Sequence, residues 1–260
     1  MNSRRIYAFF LRHMYPLKRD FDLLSDMVYW PIIDLFFWGV TSQWLVDSSG
    51  VANLVAALLT ALVLWNVIWR SQAEVSRNLM DEIWNNNLVN LFSTPLKLRE
   101  WLAGVLILSI VKTSLTLGLL IPVVVLLYSV NLIQLGLWLP VFMLLSTMTG
   151  WWVGFIAAGI VLRHGPKVQT VVWTLPGFLL PFSAIYYPVD RLPEWMIPIA
   201  KVLPTTYVFE SMRSLLNTGA VPVDQILISA GLNLIYLGLC IWFFVRSFEY
   251  SRNLGLGRFD

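Results

Sequence analysis

Six stretches of the chain are long and apolar, and polar segments divide them. The runs cover residues 28–46, 51–69, 101–130, 137–162, 168–185 and 225–245. A helix that crosses a bilayer needs ~20 apolar residues and satisfies its backbone amides internally, so each run predicts a membrane-spanning helix. The third is too long for one straight crossing: at ~1.5 Å per residue it would reach ~45 Å, against a hydrocarbon core of ~30 Å. Part of it must tilt or protrude. Lys112 then either sits at the membrane boundary, the favoured placement, or is a buried cation needing a partner such as Asp34.

The main polar interruption is residues 70–100, RSQAEVSRNLMDEIWNNNLVNLFSTPLKLRE. Val75, Leu79 and Ile83 recur at i+4, and Met80, Trp84, Leu88 and Leu91/Phe92 follow at i+4 or i+3. Glu74, Arg77, Asn78, Asp81, Asn85 and Asn86 fall on the other side. The spacing predicts an amphipathic helix. Thr94-Pro95 should stop it, with Pro95 at the first position of the next helix, so that two helices meet at a corner. One interpretation is a helix lying on the membrane interface. Its polar face, however, mixes Glu74, Arg77, Asp81 and Glu82 with the amides Asn85 to Asn87, which suits a protein partner better than anionic lipid.

Residues 1–27 form a second amphipathic pattern, with Ile6, Phe10, Met14, Leu17, Phe21 and Leu24 stepping by three or four and five basic residues between them. No apolar core precedes a small-residue cleavage site, so this segment reads as an interface helix, bent at Pro16, with its cations reaching lipid headgroups. The segment 186–222 is of another kind. It carries prolines at 188, 193, 198, 204 and 222 among apolar residues. Two short half-helices that dip into the membrane and are broken by proline fit it, and Glu210 and Arg213 at i+3 should pair on one face.

Composition agrees with the pattern: 58% apolar and 13% charged residues, with a mean hydropathy of +0.70, exclude a water-soluble globule. The expected fold is one all-α integral membrane domain over residues 1–260. The net charge of +3 is explained by placement, not by nucleic acid. Fourteen of the eighteen Lys and Arg fall in residues 1–27, the 70–100 segment, the 163–167 turn and the C-terminal tail. By the positive-inside rule those segments, and both termini, face the cytoplasm. Cys240, the one cysteine, lies in the last apolar run and reads as a buried hydrophobe.

Inside the spans, Asp34 is the main oddity. A carboxylate there faces either a cavity or substrate, or a structural partner. Phe37 and Trp38 are candidates to line a path beside it, whereas Trp30, Trp44, Trp65, Trp69 and Trp101 read as interface anchors. Gly150, Gly154 and Ala158 at i+4 form a ridge of small residues suited to close helix packing. The chain has no GxxxxGK[ST], HExxH, CxxC or GxSxG motif, and its two histidines, His13 and His164, are far apart. Catalysis, metal binding and ATP binding by this chain are therefore not expected.

The stretch SAIYYPVDRLPEWMIPIAKVLPTTYVFESMRSLLNTG, residues 183–219, resembles a pattern of the permease subunits of type-2 ABC exporters: Ser-Gly, Pro, Leu-Pro-x-Trp, Asn-Pro-x-x-Tyr, then Glu-x-x-Arg. Glu82 through Thr94-Pro95 is similar to the family's acidic, leucine-rich segment before the third span. Ala184 stands where the family has Gly, Leu203 where it has Asn, and Asn87 where Gly is common.

The resemblance implies that residues 70–100 dock on a separate ATPase subunit, present in two copies and holding the ATP and Mg, through Arg77, Asp81, Glu82, Asn85, Asn86, Thr94 and Pro95. It implies a homodimer with the pathway at its interface, in a bacterial or archaeal plasma membrane. An outer gate of re-entrant helices would carry Pro188, Asp190, Pro193, Trp195, Pro204, Tyr207, Glu210 and Arg213. The substrate would be amphiphilic: a lipid, glycan or drug. An ion-coupled transporter and a membrane scaffold are the alternatives. The first calls for paired mid-membrane ionisable groups, and the second needs no broken outer segment.

Overall fold

The computed structural model of the chain describes residues 1–49 and 53–256; Val51, at the start of the second apolar run, and Arg258, in the basic tail, lie outside them. Among the described residues the fold is helical: α1 (Ser3–Met14), α2 (Phe21–Leu24), α3 (Trp30–Ser49), α4 (Leu54–Trp84), α5 (Leu88–Ser93), α6 (Leu98–Tyr128), α7 (Trp138–His164), α8 (Val171–Leu179), α9 (Ile197–Val202), α10 (Pro204–Thr218) and α11 (Val223–Asn253). A π-helical turn, Ser25–Tyr29, joins α2 to α3.

Helices α4 and α7 form the centre, with α6 and α3 against α4, and α11 and α10 against α7. Their closeness follows from the small-residue ridge. A Cβ at Gly150 would lie 2.5 Å from the Ile68 carbonyl oxygen, and one at Gly154 2.7 Å from the Val75 Cβ, so any larger side chain would push α4 away. The outward faces of α3, α6 and α11 expose Phe36, Phe37, Leu126, Leu127, Leu234 and Leu239, an apolar surface suited to lipid.

Five helical segments, 21–46, α4, α6, α7 and α11, are long and apolar enough to cross a membrane. The expected sixth, 168–185, is divided instead. Nine residues of α8, containing Pro176, pass at Leu180 into a 3₁₀ turn through Phe182, and the chain then bends. Pro176 and Pro181 lack the amides that would continue an α-helix there.

Other expectations also change. The second apolar run does not stop at residue 69, because α4 continues unbroken through the polar segment to Trp84. Helix α5 ends at Ser93 as expected, but Pro95 does not start the next helix. Lys97 is the N-cap of α6, and the Glu100 carboxylate accepts its backbone N–H at 3.1 Å. Trp30 and Trp44 are exposed, as interface anchors would be, whereas Trp65 is 7% exposed and Trp101 fully buried. Trp101 stacks on Phe244 at 5.4 Å, and Phe9 meets it edge-on. Nor does the N-terminal helix run to Met27; α1 ends at Met14, and a 3₁₀ turn starts at Pro16. Cys240 is buried.

Candidate functional site

Three places hold the singled-out residues: the corner formed by α4, α5 and α6, the proline-rich segment at the other end of these helices, and a cleft between α3, α4 and α8.

At the corner, Asn85 and Asn86 end α4 in the open, and Thr94 and Pro95 are exposed after α5; Trp84 and Val89 add exposed apolar surface between them. Arg77 and Asp81 are half-buried. Glu82 is not available to a partner. It is 3% exposed, its carboxylate lies 2.8 Å from the Arg12 guanidinium, and the Asn87 side-chain amide donates to it at 2.5 Å. Helix α1 holds the far side of the corner too: Arg5 donates to the Pro95 carbonyl at 2.6 Å, and the Asn2 backbone N–H donates to Glu100 at 2.7 Å. Two of the cations expected at lipid headgroups thus bind protein. Phe9 seals the contact, buried against α6 where Gly104 leaves room for its ring. His13 lies beside it, with Nε2 3.9 Å from Glu82. Burial, assisted by the Lys112 and Arg12 cations, lowers its pKa to about 4.

Behind the corner lies a buried ionic cluster that sequence reasoning divided wrongly. Glu74 and Asn78 were expected on a solvent or partner face, and Lys112 at the membrane boundary. Both faces are buried. Lys112 Nζ sits 2.9 Å from Glu74, which also pairs with Arg70; Arg70 and Arg77 reach Asp26 in the π-helical turn at 2.9 and 3.1 Å. Lys112 therefore pairs with Glu74 and not with Asp34. Three cations and two carboxylates from three elements meet there, so both carboxylates are paired and one positive charge is left in excess. The signal available beforehand was a lone Lys in one apolar run, with Glu74 a turn beyond the end of another.

In the proline-rich segment, α9 and α10 are separate helices broken at Leu203-Pro204, and the expected Glu210–Arg213 pair forms at 2.9 Å. Arg213 also donates to the Ile185 carbonyl at 2.9 Å and to that of Ala184, while Glu210 accepts the Val189 N–H at 3.1 Å. Pro204 is buried, and Tyr207 donates to the Lys201 carbonyl at 2.7 Å. Pro188, Asp190, Pro193 and Trp195 are exposed. Ala184 has φ +55°, the left-handed region, which explains the glycine that the resemblance expects there.

The cleft has a volume of about 460 Å³ and is lined by Asp26, Trp30, Pro31, Asp34, Trp38, Leu62, Trp65, Asn66, Trp69, Trp173, Leu180 and Tyr186. Trp38 stacks on Tyr186 at 4.6 Å. Asp34 and Trp38 were singled out and do meet here; Phe37 does not, for it faces outward from α3. Trp69, Trp173 and Tyr186 come from other elements, and no local pattern announces them.

Among the described residues no group of three or more His, Cys, Asp or Glu is placed to hold a metal ion. Comparison with curated proteins returns no match. The family model for the ABC-2 type transporter, in contrast, matches residues 21–217, a range that takes in the cleft, the corner, the ionic cluster and nearly all of α10. Five apolar spans, a transport domain in place of a catalytic one, and a match over most of its length lead to one assignment: the chain is a multi-pass membrane permease subunit and belongs to the ABC-2 type transporter family.

Proposed function

We propose that this permease is the membrane half of an ATP-driven exporter whose fuel is hydrolysed by a separate ATPase subunit docked on the corner of α4, α5 and α6. The observation that carries this is the corner itself, where Trp84, Asn85, Asn86, Val89, Thr94 and Pro95 form one exposed mixed surface on an element held rigidly from behind. The N-terminal and corner cations support, by the positive-inside rule, a cytoplasmic location for that end and for both termini, in a bacterial or archaeal plasma membrane. Two ATPase subunits would serve two permease copies, with ATP and Mg in the ATPases.

Transmission would be by rigid-body movement. Helix α4 has 31 residues, ~46 Å at the usual rise, so one rod joins the docking corner to the opposite end of the molecule. Helix α6 is equally long, and α1 ties the start of α6 to the end of α4 through Arg5 and Arg12. A push on the corner then moves both rods together. At the outer end, α9 and α10 would be re-entrant half-helices that close the pathway, and the 166–182 segment would complete a sixth crossing.

The test is association with the ATPase. Replacing Asp81 and Asn85 with Lys reverses the polarity of the corner without touching the Arg12–Glu82 pair. Co-purification of the ATPase subunit should fall at least ~10-fold while the permease keeps its elution profile, an effect of ~1.4 kcal/mol or more. Undiminished association would overturn the docking assignment.

A further inference from the structure

The cleft between α3, α4 and α8 holds two carboxylates in different states. Asp26 is matched by Arg70 and Arg77. Asp34 has no cation within 4.0 Å among the described residues, and it is exposed to the cleft. No Lys or Arg lines the space. Its other walls are aromatic faces: Trp30, Trp38, Trp65, Trp69, Trp173 and Tyr186. A carboxylate at membrane depth favours a cationic partner over none, and indole faces attract cations through their quadrupole. An anionic headgroup would meet Asp34 with nothing to offset it. A neutral glycan would find stacking surfaces and indole N–H donors, but it would leave the Asp34 charge without a counter-charge.

From this juxtaposition we propose that the Asp34 cleft is a binding site for the head of a monovalent cationic amphiphile, a quaternary or protonated amine carried on an apolar body. This deepens the export function proposed above by naming its substrate class, and it rests on that function for its purpose. The volume suits a head and the first part of a tail. Asp34 lies eight residues along from Asp26, ~12 Å if the rise is helical, so the site is close to the ionic cluster and the corner end. The tail would continue over the exposed apolar face of α3, past Ile33 and Phe37.

The experiment uses the full chain without an ATPase, in a maltoside detergent. Tryptophan fluorescence is titrated with octyltrimethylammonium, octyl sulfate and octyl glucoside. Five of the walls are indoles, so occupancy changes the signal. The cationic probe should give a saturable change. Asp34→Asn should weaken it ~10-fold and Asp34→Glu by no more than ~3-fold, and the sulfate and glucoside should give no saturable change. Trp38→Leu, a second variant one turn further along α3, should also weaken the cation alone. An unchanged titration in Asp34→Asn, or in Trp38→Leu should the Asn variant fail to fold, would overturn the proposal. So would saturable binding of octyl sulfate or octyl glucoside as tight as that of the cation. Undiminished ATPase association in the corner variant, with cation binding intact, would instead count against the ATP-driven function alone.

Discussion

Glu74 and Asp34 are both carboxylates on long helices of the membrane domain, yet their surroundings are opposite. Glu74 is 2% exposed and held by Arg70, Lys112 and Asn78, whereas Asp34 stands in an aromatic cleft with no ion pair among the described residues. The difference teaches how to read ionisable groups in a membrane domain. A charge whose partners come from its own helix and a neighbouring one has been used to fix the fold. One left facing a cavity is free to meet something that arrives.

The largest effect should follow from breaking the saturated member. Glu74→Ala leaves the buried Lys112 without an ion pair within 4.0 Å among the described residues and Arg70 paired with Asp26 alone, and loss of one member of a buried pair costs ~3–5 kcal/mol. Thermal unfolding in detergent should show a marked fall. Replacing Lys112 with Met in the same protein should recover much of the loss, because the orphaned ammonium goes with it. Asp34→Asn, by contrast, should leave the unfolding transition within ~0.5 kcal/mol of the parent, since no partner is stranded. If Asp34→Asn proved as damaging as Glu74→Ala, the contrast would be false and Asp34 would have a structural partner.

How far the sequence carries the reader differs between these regions. Five of the six expected spans were legible because length and apolarity decide them locally, whereas the 168–185 run is divided at its prolines, and Gly150 and Gly154 announced a close helix contact by spacing alone. The pairing of Glu74 with Lys112 was not legible, for a lone lysine in a run does not say which of several acids will face it. The periodic pattern placed Glu74, Asn78 and Glu82 on one side correctly. It could not say that α1 and α6 would cover that side. Proline misled in a smaller way at Pro95, where a carboxylate cap from Glu100 set the helix start three residues later, at Leu98. The cleft was half visible: Asp34 and Trp38 stand out along α3, but Tyr186 and Trp173 arrive through the fold.

A middle-sized effect should come from pH, at the seam between α1 and the corner. The buried His13 ring has its pKa lowered to about 4 from an ordinary 6.5, so the folded seam prefers it neutral. The Glu74 carboxylate favours the proton; burial and the Lys112 and Arg12 cations outweigh it. The sign follows from proton counting. Above pH 6.5 both folded and detached states are neutral and stability is flat. Between 6.5 and 4 the detached ring binds a proton that the docked ring refuses, so docking weakens as pH falls, by ~3 kcal/mol at most. Hydrogen exchange of residues 3–14 should accelerate over that window and not above it. His13→Leu, which keeps the packing on Phe9, should flatten the profile; an unaltered slope would assign the pH dependence to another group.

The smallest effect is expected where the chain departs from the pattern it resembles, and the smallness is itself informative. Ala184 sits at φ +55°, where a Cβ costs ~1–2 kcal/mol, and a glycine would remove that strain. Yet the residue is fully buried, so its methyl contributes ~0.8 kcal/mol of burial. Glycine would also lose ~0.5–1 kcal/mol more backbone entropy on folding. The terms nearly cancel, and Ala184→Gly should move the unfolding transition by less than ~0.5 kcal/mol, which explains how alanine is tolerated there. A stabilisation above ~1 kcal/mol would mean that the methyl is idle. An equal loss would mean that the backbone is not held left-handed by Arg213 donating to its carbonyl. Ala184→Val separates the terms: a β-branched side chain adds bulk at a φ it seldom adopts, so it should cost more than ~2 kcal/mol and loosen Arg213 from the Ala184 and Ile185 carbonyls.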